Sequence, residues 1–331
     1  MALITRKRVG TAALAAGWAL AAAMSGVGLI RLVRSDDQPL LIGVQGIGMW
    51  LLLPAYPLAV AAAVTRKRAL AAVAVALALG NVVWVSDMYR TGTPEVAPAG
   101  AATMHLVTAN MLLDNPDVAG FAADLVRTDA DVIALQEVTP QHLVDLRAAG
   151  LLDAYPHQVL DPHPKFHGSA ILSRLPIAAG GPIDVAGSPM TQADIVTAAG
   201  PVRVVNVHTV APVNEENTPI WQAQMGALAG LAGRTSTPVV MAGDFNATGD
   251  HEPMDELLAA HGLRDAFAEV GRGVGATWPQ WDGPMIPLMR LDHVVVTDTV
   301  AVLSVQVQDS PGSDHRRLSV ELAFPPAAAS L

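Results

Sequence analysis

The 331-residue chain contains no cysteine. A disulfide framework, a thiol nucleophile, a zinc finger and an iron–sulfur cluster are thereby excluded. Aromatic residues are scarce, with three tyrosines and five phenylalanines. No basic run interleaved with aromatics, the mark of a nucleic-acid track, occurs in residues 103–331. No internal repeat is visible, and no uncharged run lying after residue 100 reaches 18 residues. What is abundant is apolar: hydrophobic residues reach 51% and mean hydropathy is +0.37. That is too apolar for a disordered chain and high for a wholly soluble enzyme.

The net charge of −10 hides a split. Residues 1–100 hold nine Lys/Arg and four Asp/Glu, a balance of +5; residues 101–331 hold eleven and twenty-six, a balance of −15. The basic part carries three uncharged runs, Val9 to Ile30, Leu40 to Val64 and Ala69 to Ser86. Crossing the hydrocarbon core takes roughly 20 apolar residues, so three transmembrane helices are expected in residues 1–90. Pro54 and Pro57 predict a kink in the second. Trp18, Trp50 and Trp84 are available as interface anchors or as filling. A cleaved signal peptide would share the basic start. The first run, however, is longer than a usual 7–15-residue signal core, and two more runs follow it. Arg6, Lys7 and Arg8 precede the first run, and Arg66, Lys67 and Arg68 separate the second from the third. Basic clusters stay cytoplasmic, which with three spans places everything after residue 90 outside. Residues 91–102 (TGTPEVAPAGAA with its neighbours) read as a Pro/Gly/Ala linker. The boundaries expected are therefore a membrane domain over 1–90, a linker over 91–102 and a soluble domain over 103–331.

The soluble part reads as α/β. MHLVTA at 104–109 and DVIALQEV at 131–138 are strand-like. Between them Val118, Phe121, Ala122, Leu125 and Val126 fall on one helix face. Thr139 caps a helix with Pro140 at its first position, and Gly150 closes it. Further strands are expected at 168–173, 192–197, 202–208, 238–244, 291–297, 301–307 and 317–323, with helices near 217–233 and 252–261. Many strands with few helices between them predict a mixed sheet or two packed sheets with helices outside.

Polar residues recur where these strands end. They are Asn110, Gln136 with Glu137, Asn206 with His208, Asp244 with Asn246, Asp292 with His293, and Asp314 with His315. Strand ends on one sheet edge converge, so the groups can share a cleft. Glu137, Asp244 and Asp314 offer hard oxygen ligands, and Asn110 and Asn246 neutral carbonyls. That set suits Mg2+ or Mn2+ rather than a soft metal. A carboxylate beside His315 would make it a general base for water, and His208 could donate to a phosphoryl oxygen. Taken singly, each residue also fits a plainer role, as turn, cap or core histidine.

In their order, the segments TANMLLDN, DVIALQEV, GSAILSRLPI, VRVVNVHTV, VVMAGDFNAT, LDHVVV and SDHRRLSVEL resemble the endonuclease/exonuclease/phosphatase (DNase I-like) superfamily over residues 103–324. The resemblance implies a four-layer αββα sandwich. It implies Glu137 as principal metal ligand with Asn110 beside it, and Asp314 as a further metal or water ligand. Asp244 and Asn246 would position water and phosphate, and His208 would bond the phosphate. His315 would be the general base, oriented by Asp292. Some nucleases of the family carry an Asp two residues after the Asn. Leu112 stands there in this chain, which leaves Glu137 as the main early ligand.

The superfamily fixes the reaction class, not the substrate. A −15 balance is poor for general DNA binding, whose affinity comes from Lys/Arg on phosphates. A short tether instead favours a lipid-linked or cell-envelope phosphate as substrate. Three spans before an outward catalytic domain also resemble the teicoplanin-resistance membrane proteins of actinobacteria, which makes undecaprenyl pyrophosphate a candidate. An extracytoplasmic nuclease, a phospholipid or sphingolipid phosphodiesterase and a non-enzymatic envelope binding protein are the alternatives.

Overall fold

The computed structural model describes residues 2–89, 92–281 and 286–325. They fall into two compact units, Met1–Arg90 and Thr91–Leu331.

The first unit contains α1 (Ala2–Val33), α2 (Pro39–Gly46), α3 (Gly48–Leu51), α4 (Ala55–Val64) and α5 (Arg68–Ser86). Two stretches, Gly10–Val33 of α1 and the whole of α5, are long and apolar enough to cross a bilayer. The middle run is not one straight helix. Pro39–Gly46 and Gly48–Val64 meet at 73°, so the spans number two, or three if the bent pair is one span. The sharp bend falls at Ile47 (φ −110°, ψ 8°), while Pro54 marks a second interruption, as the N-cap of α4. Glycines on both sides of Ile47 make leaving the helix cheap. Gly48 has a second reason to be glycine, since a Cβ there would lie 2.5 Å from the Trp84 ring. Near the break, buried Asn81 of α5 donates to the Met49 carbonyl at 3.0 Å and accepts from the Tyr56 hydroxyl at 3.0 Å. Irregular backbone is tolerated at membrane depth only when it is satisfied in this way. Small side chains, Ala21, Ala55, Ala62 and Ala74, occupy the buried helix contacts.

The second unit runs β1 (Ala102–Asn110), α6 (Val118–Arg127), β2 (Val132–Gln136), α7 (Pro140–Ala148), β3 (His157–Asp161), β4 (Ser169–Ser173), β5 (Ile177–Val185), β6 (Ser188–Thr197), β7 (Gly200–His208), α8 (Asn217–Ala232), β8 (Val239–Asp244), α9 (Glu252–Ala259), β9 (Leu263–Asp265), α10 (Ala266–Val270), β10 (Asp292–Thr297), β11 (Ala301–Gln308) and β12 (Arg317–Phe324). Two six-stranded sheets result, in the orders β11-β12-β1-β2-β4-β3 and β5-β6-β7-β8-β10-β9. Each has one parallel pair near its centre, β1 with β2 and β7 with β8; the other neighbours are antiparallel. The four-layer sandwich implied by the resemblance is present.

Both faces of the central strands are buried, which is why they read as unbroken apolar runs. Along β1 and β2, Met104, Leu106, Val132 and Ala134 point between the sheets. The alternate residues Val107, Ala109, Ile133 and Leu135 meet Phe121 and Leu125 of α6 and Leu146 of α7. α7 begins as the sequence predicts, with Thr139 accepting from the His142 amide and Pro140 in the first turn; His142 closes the capping box in place of an acid. Buried Trp221, Met225 and Leu228 anchor α8, which packs beside α9.

The inter-sheet core turns polar toward one edge. Gln136 donates to Thr108 Oγ1 at 3.0 Å and, across the sheets, to Asn206 Oδ1 at 2.6 Å. Asn206 in turn donates to the Leu135 and Ala170 carbonyls at 2.8 and 3.0 Å.

Residues at the start of the second unit are fastened to it. The Glu95 amide donates to the Val302 carbonyl at 3.1 Å, and the Glu95 carboxylate pairs with Arg264 at 2.6 Å. Of the linker that the composition describes, Glu95 is thus docked, and Ala102 already belongs to the first strand.

Candidate active site

The site is the continuation of the inter-sheet face. Alternation carries Leu106 and Thr108 on to Asn110, Val204 and Asn206 to His208, Val240 and Ala242 to Asp244, and Val296 and Val294 back to Asp292. Register then aligns them. Asn110 is opposite Gln136, His208 opposite Asp244, and Asp244 opposite Asp292. Four strands from two sheets therefore deliver polar side chains to one end of an apolar core.

The contacts join these residues. The Asn110 amide nitrogen donates to Glu137 Oε1 at 3.0 Å and to Asp244 Oδ2 at 3.2 Å. Glu137 Oε2 accepts from the Leu113 amide at 2.7 Å, and Asp244 Oδ1 from the Asn246 amide at 2.8 Å. His208 Nε2 lies 3.9 Å from both Glu137 and Asp244. His315 Nδ1 meets Asp292 Oδ2 at 2.8 Å, leaving Nε2 turned to Asp244 at 3.6 Å. Asn246 has its amide nitrogen on the Thr209 carbonyl at 2.9 Å. Asp314 takes a different partner: its Oδ2 accepts from the Trp278 indole at 3.1 Å.

The backbone is strained here. Leu112, Glu137 and Asn246 all hold left-handed φ, at 66°, 60° and 47°. Non-glycine residues pay for such conformations, and they cluster where geometry serves function. Gly243 is required sterically, since a Cβ would come within 1.9 Å of the Val207 carbonyl. That close approach lets β8 lie beside β7 just before Asp244.

Charge is unbalanced in the cluster. Among the described residues, the ion-pair partners of Glu137, Asp244 and Asp292 are His208 and His315 alone. Burial, reinforced by the charge of Asp292, pushes the Asp244 carboxyl above the usual carboxylate range, against the pull of His315 and His208. Burial alone would lower the His315 imidazole, but the facing Asp292 and Asp244 outweigh it and raise it to about 10. Asp244, Asp292 and His315 bring ligand atoms within 4.8 Å of one another. One Asp292 oxygen and His208 Nδ1 are buried without a hydrogen-bond partner among the described residues. An oxygen-rich, thiolate-free group of three carboxylates fits a hard divalent cation.

Several supporting residues carry no motif signal. The Ser313 hydroxyl ties the loop before β12 to β1, donating to the Asn110 carbonyl at 2.7 Å and accepting from the His315 amide at 3.0 Å. Thr277 Oγ1 accepts from the amides of Leu291 and Asp292. His167 sits near His208, and burial followed by the His208 charge lowers its basicity. A hydroxyl that serves backbone groups is silent in a single sequence. Beside the cluster lies a cavity of about 600 Å3, lined by Leu112, Trp281, Ser310, Asp314 and Arg316 among others. The buried Ser310 hydroxyl on its wall has no partner among the described residues.

The endonuclease/exonuclease/phosphatase family model matches residues 107–315, which takes in every residue named above from Asn110 to His315. Solved structures share the fold. An endonuclease/exonuclease/phosphatase family protein from Bacteroides thetaiotaomicron superposes with a TM-score of 0.57 at 16% identity, over 68% of this chain and 98% of that one. A mannosyl-6-phosphatase from the same organism gives 0.55 at 16%, over 67% and 100%. Truncated Caenorhabditis elegans TDP2 gives 0.53 at 18%, over 66% and 97%. No curated protein matches the chain by sequence.

Proposed function

The chain belongs to the endonuclease/exonuclease/phosphatase family, and from that premise we propose that it is a membrane-anchored, divalent-metal-dependent phosphohydrolase. Its substrates would be lipid-linked or cell-envelope phosphate esters or anhydrides outside the cytoplasm. One observation carries the reading. A cluster of two buried carboxylates, the half-buried Glu137 and two buried imidazoles occupies the same chain as helices apolar enough to cross a bilayer.

Glu137 and Asp244, bridged by Asn110, would hold Mg2+ or Mn2+. Bound there, the ion would offset carboxylate charge, bring His315 back toward neutrality and polarise a phosphoryl oxygen. Asp292 fixes Nδ1 of His315, so its Nε2 faces the Asp244 side of the cleft and takes the proton of the attacking water. Asp244 orients that water. His208, from the opposite side of Asp244, donates to a phosphoryl oxygen as charge builds on it. The Asn110 amide bridges the Glu137 and Asp244 carboxylates, and the Asn246 amide ties the Asp244 loop to the one that follows His208.

Phosphate release from undecaprenyl pyrophosphate by the full-length protein in detergent tests this. Release with Mg2+, its loss with chelator and its loss in His315→Ala are expected. Release that survives both treatments would sink the metal-and-histidine assignment. No release from this or other lipid phosphates would move the reading to diesters.

Placement outside the cytoplasm has its own test. Val96 is fully exposed (89%) in the second unit, and the chain lacks cysteine. Val96→Cys should therefore react with a membrane-impermeant maleimide in intact cells. Labelling only after lysis would put the domain inside.

A further inference from the structure

The sheet register places four loops around the catalytic cluster. Gln136 is opposite Ser169 and Asp161 opposite Ser169, so the β3–β4 loop lies at this edge. The β7–α8 loop leaves from His208, the segment before β10 arrives at Asp292, and Gln308 opposite Arg317 brings the β11–β12 loop alongside. Three of these loops carry exposed large apolar side chains: Phe166 on the first, Val213 on the second, and Trp281 and Ile286 on the third. Among the described residues of the second unit, Phe166 and Trp281 are the exposed aromatics; the rest are buried or partly so. The Phe166 ring stands edge-on to His208 at 6.5 Å. Lys165 beside it is exposed and is the one lysine after residue 67. Trp281 lines the cavity that also reaches Asp314.

From this we infer that the catalytic edge rests on a lipid bilayer. Phe166 and Trp281 enter the headgroup–acyl boundary, and Lys165 meets lipid phosphates, so the site takes a phosphorylated lipid that never leaves the membrane. The inference rests on the lipid-phosphate reading above and specifies how that substrate is presented. Amphipathic rings with a flanking cation are the residue types suited to this boundary. The chain itself supplies the bilayer. The second unit follows directly in sequence on helices apolar enough to cross one.

Absence of cysteine makes the test direct. Full-length Phe166→Cys, Trp281→Cys and Val196→Cys would each carry one polarity-sensitive fluorophore in phosphatidylcholine–phosphatidylglycerol proteoliposomes. Val196 is exposed, and it lies near the opposite edge, since its register partner is Pro201 at the start of β7. Emission at 166 and 281 should shift blue and be quenched by at least about half by brominated acyl chains, while 196 stays in water. Equal, water-like emission at all three positions overturns the inference. This readout needs no turnover. Quenching without lipid hydrolysis would uphold the surface and remove the substrate reading. Hydrolysis without quenching would do the reverse.

Discussion

Asp244→Asn is expected to lower kcat by about 10^2–10^4 while leaving the melting temperature unchanged or higher. The carboxylate is buried and opposite Asp292 in register. Its raised pKa says that the fold pays to keep it charged. Asparagine removes that cost, keeps an oxygen for the Asn246 amide and keeps the shape. What it loses is the charge that faces both histidines and the second oxygen, which accepts from Asn110. A site that is destabilising for the sake of chemistry gains stability when neutralised. Calorimetry and turnover on the same preparation would separate the two effects. A variant that loses activity and melts early would show Asp244 to be structural. One that keeps full activity would remove it from the mechanism.

The second large effect concerns stability. Asp265→Ala should cost about 3–5 kcal/mol, because it strips a buried charge network of its anion. For a unit of this size that is on the order of 10 °C in melting temperature. The Asp265 carboxylate is buried and accepts two hydrogen bonds from Arg290 Nη1 at 2.8 Å. It also meets His293 Nδ1 and caps α10 at the Ala268 amide. His293 passes the constraint on, its Nε2 lying 2.9 Å from the Ala247 carbonyl in the loop that carries Asn246. Burial by itself would raise the Asp265 pKa, but Arg290 and His293 outweigh it and hold the carboxyl well below the usual carboxylate range. A depressed folded pKa means the unfolded chain binds the proton more readily. The contribution is thus present above the ordinary Asp pKa of about 4 and fades as pH falls below it. The melting-temperature gap between wild type and Asp265→Ala should be full at pH 7 and narrow in acid. A gap independent of pH would contradict the network as described.

The central strands and their flanking helices were legible because both obey simple periodicities. Val118 to Val126 repeats on one helix face. The runs that end in Asn110, Gln136, His208 and Asp244 are largely apolar on both faces. The strands that escape such reading are edges or short. β5 (IAAGGPIDV) and β3 (HQVLD) border their sheets, and β9 has three residues. Edge strands carry glycine, proline and polar residues that discourage further pairing, so their sequences lack a strand signal. The bend at Ile47 escaped for a related reason. Proline draws attention to itself, whereas two glycines flanking an isoleucine look like ordinary membrane sequence. At the site, motif order supplied the residues but not their partners. That Asp314 turns to an indole while Asn110 bridges two carboxylates depends on loop paths, which no local pattern encodes.

The Gln136–Asn206 seam has a mechanical consequence. Apolar faces attract without direction, so two valine-rich sheets could slide past one another with little change in buried area. Half of the cluster rides on each: Asn110 and Glu137 extend from one sheet, His208, Asp244 and Asp292 from the other. A slip of a single residue, about 3.3 Å, would carry Asp244 beyond reach of Asn110 and part the two carboxylates meant to share a cation. The hydrogen bonds of Asn206 to Leu135 and Ala170, one layer below, act as a key in a slot. They fix the alignment of two otherwise slippery plates at the depth where misalignment would matter most.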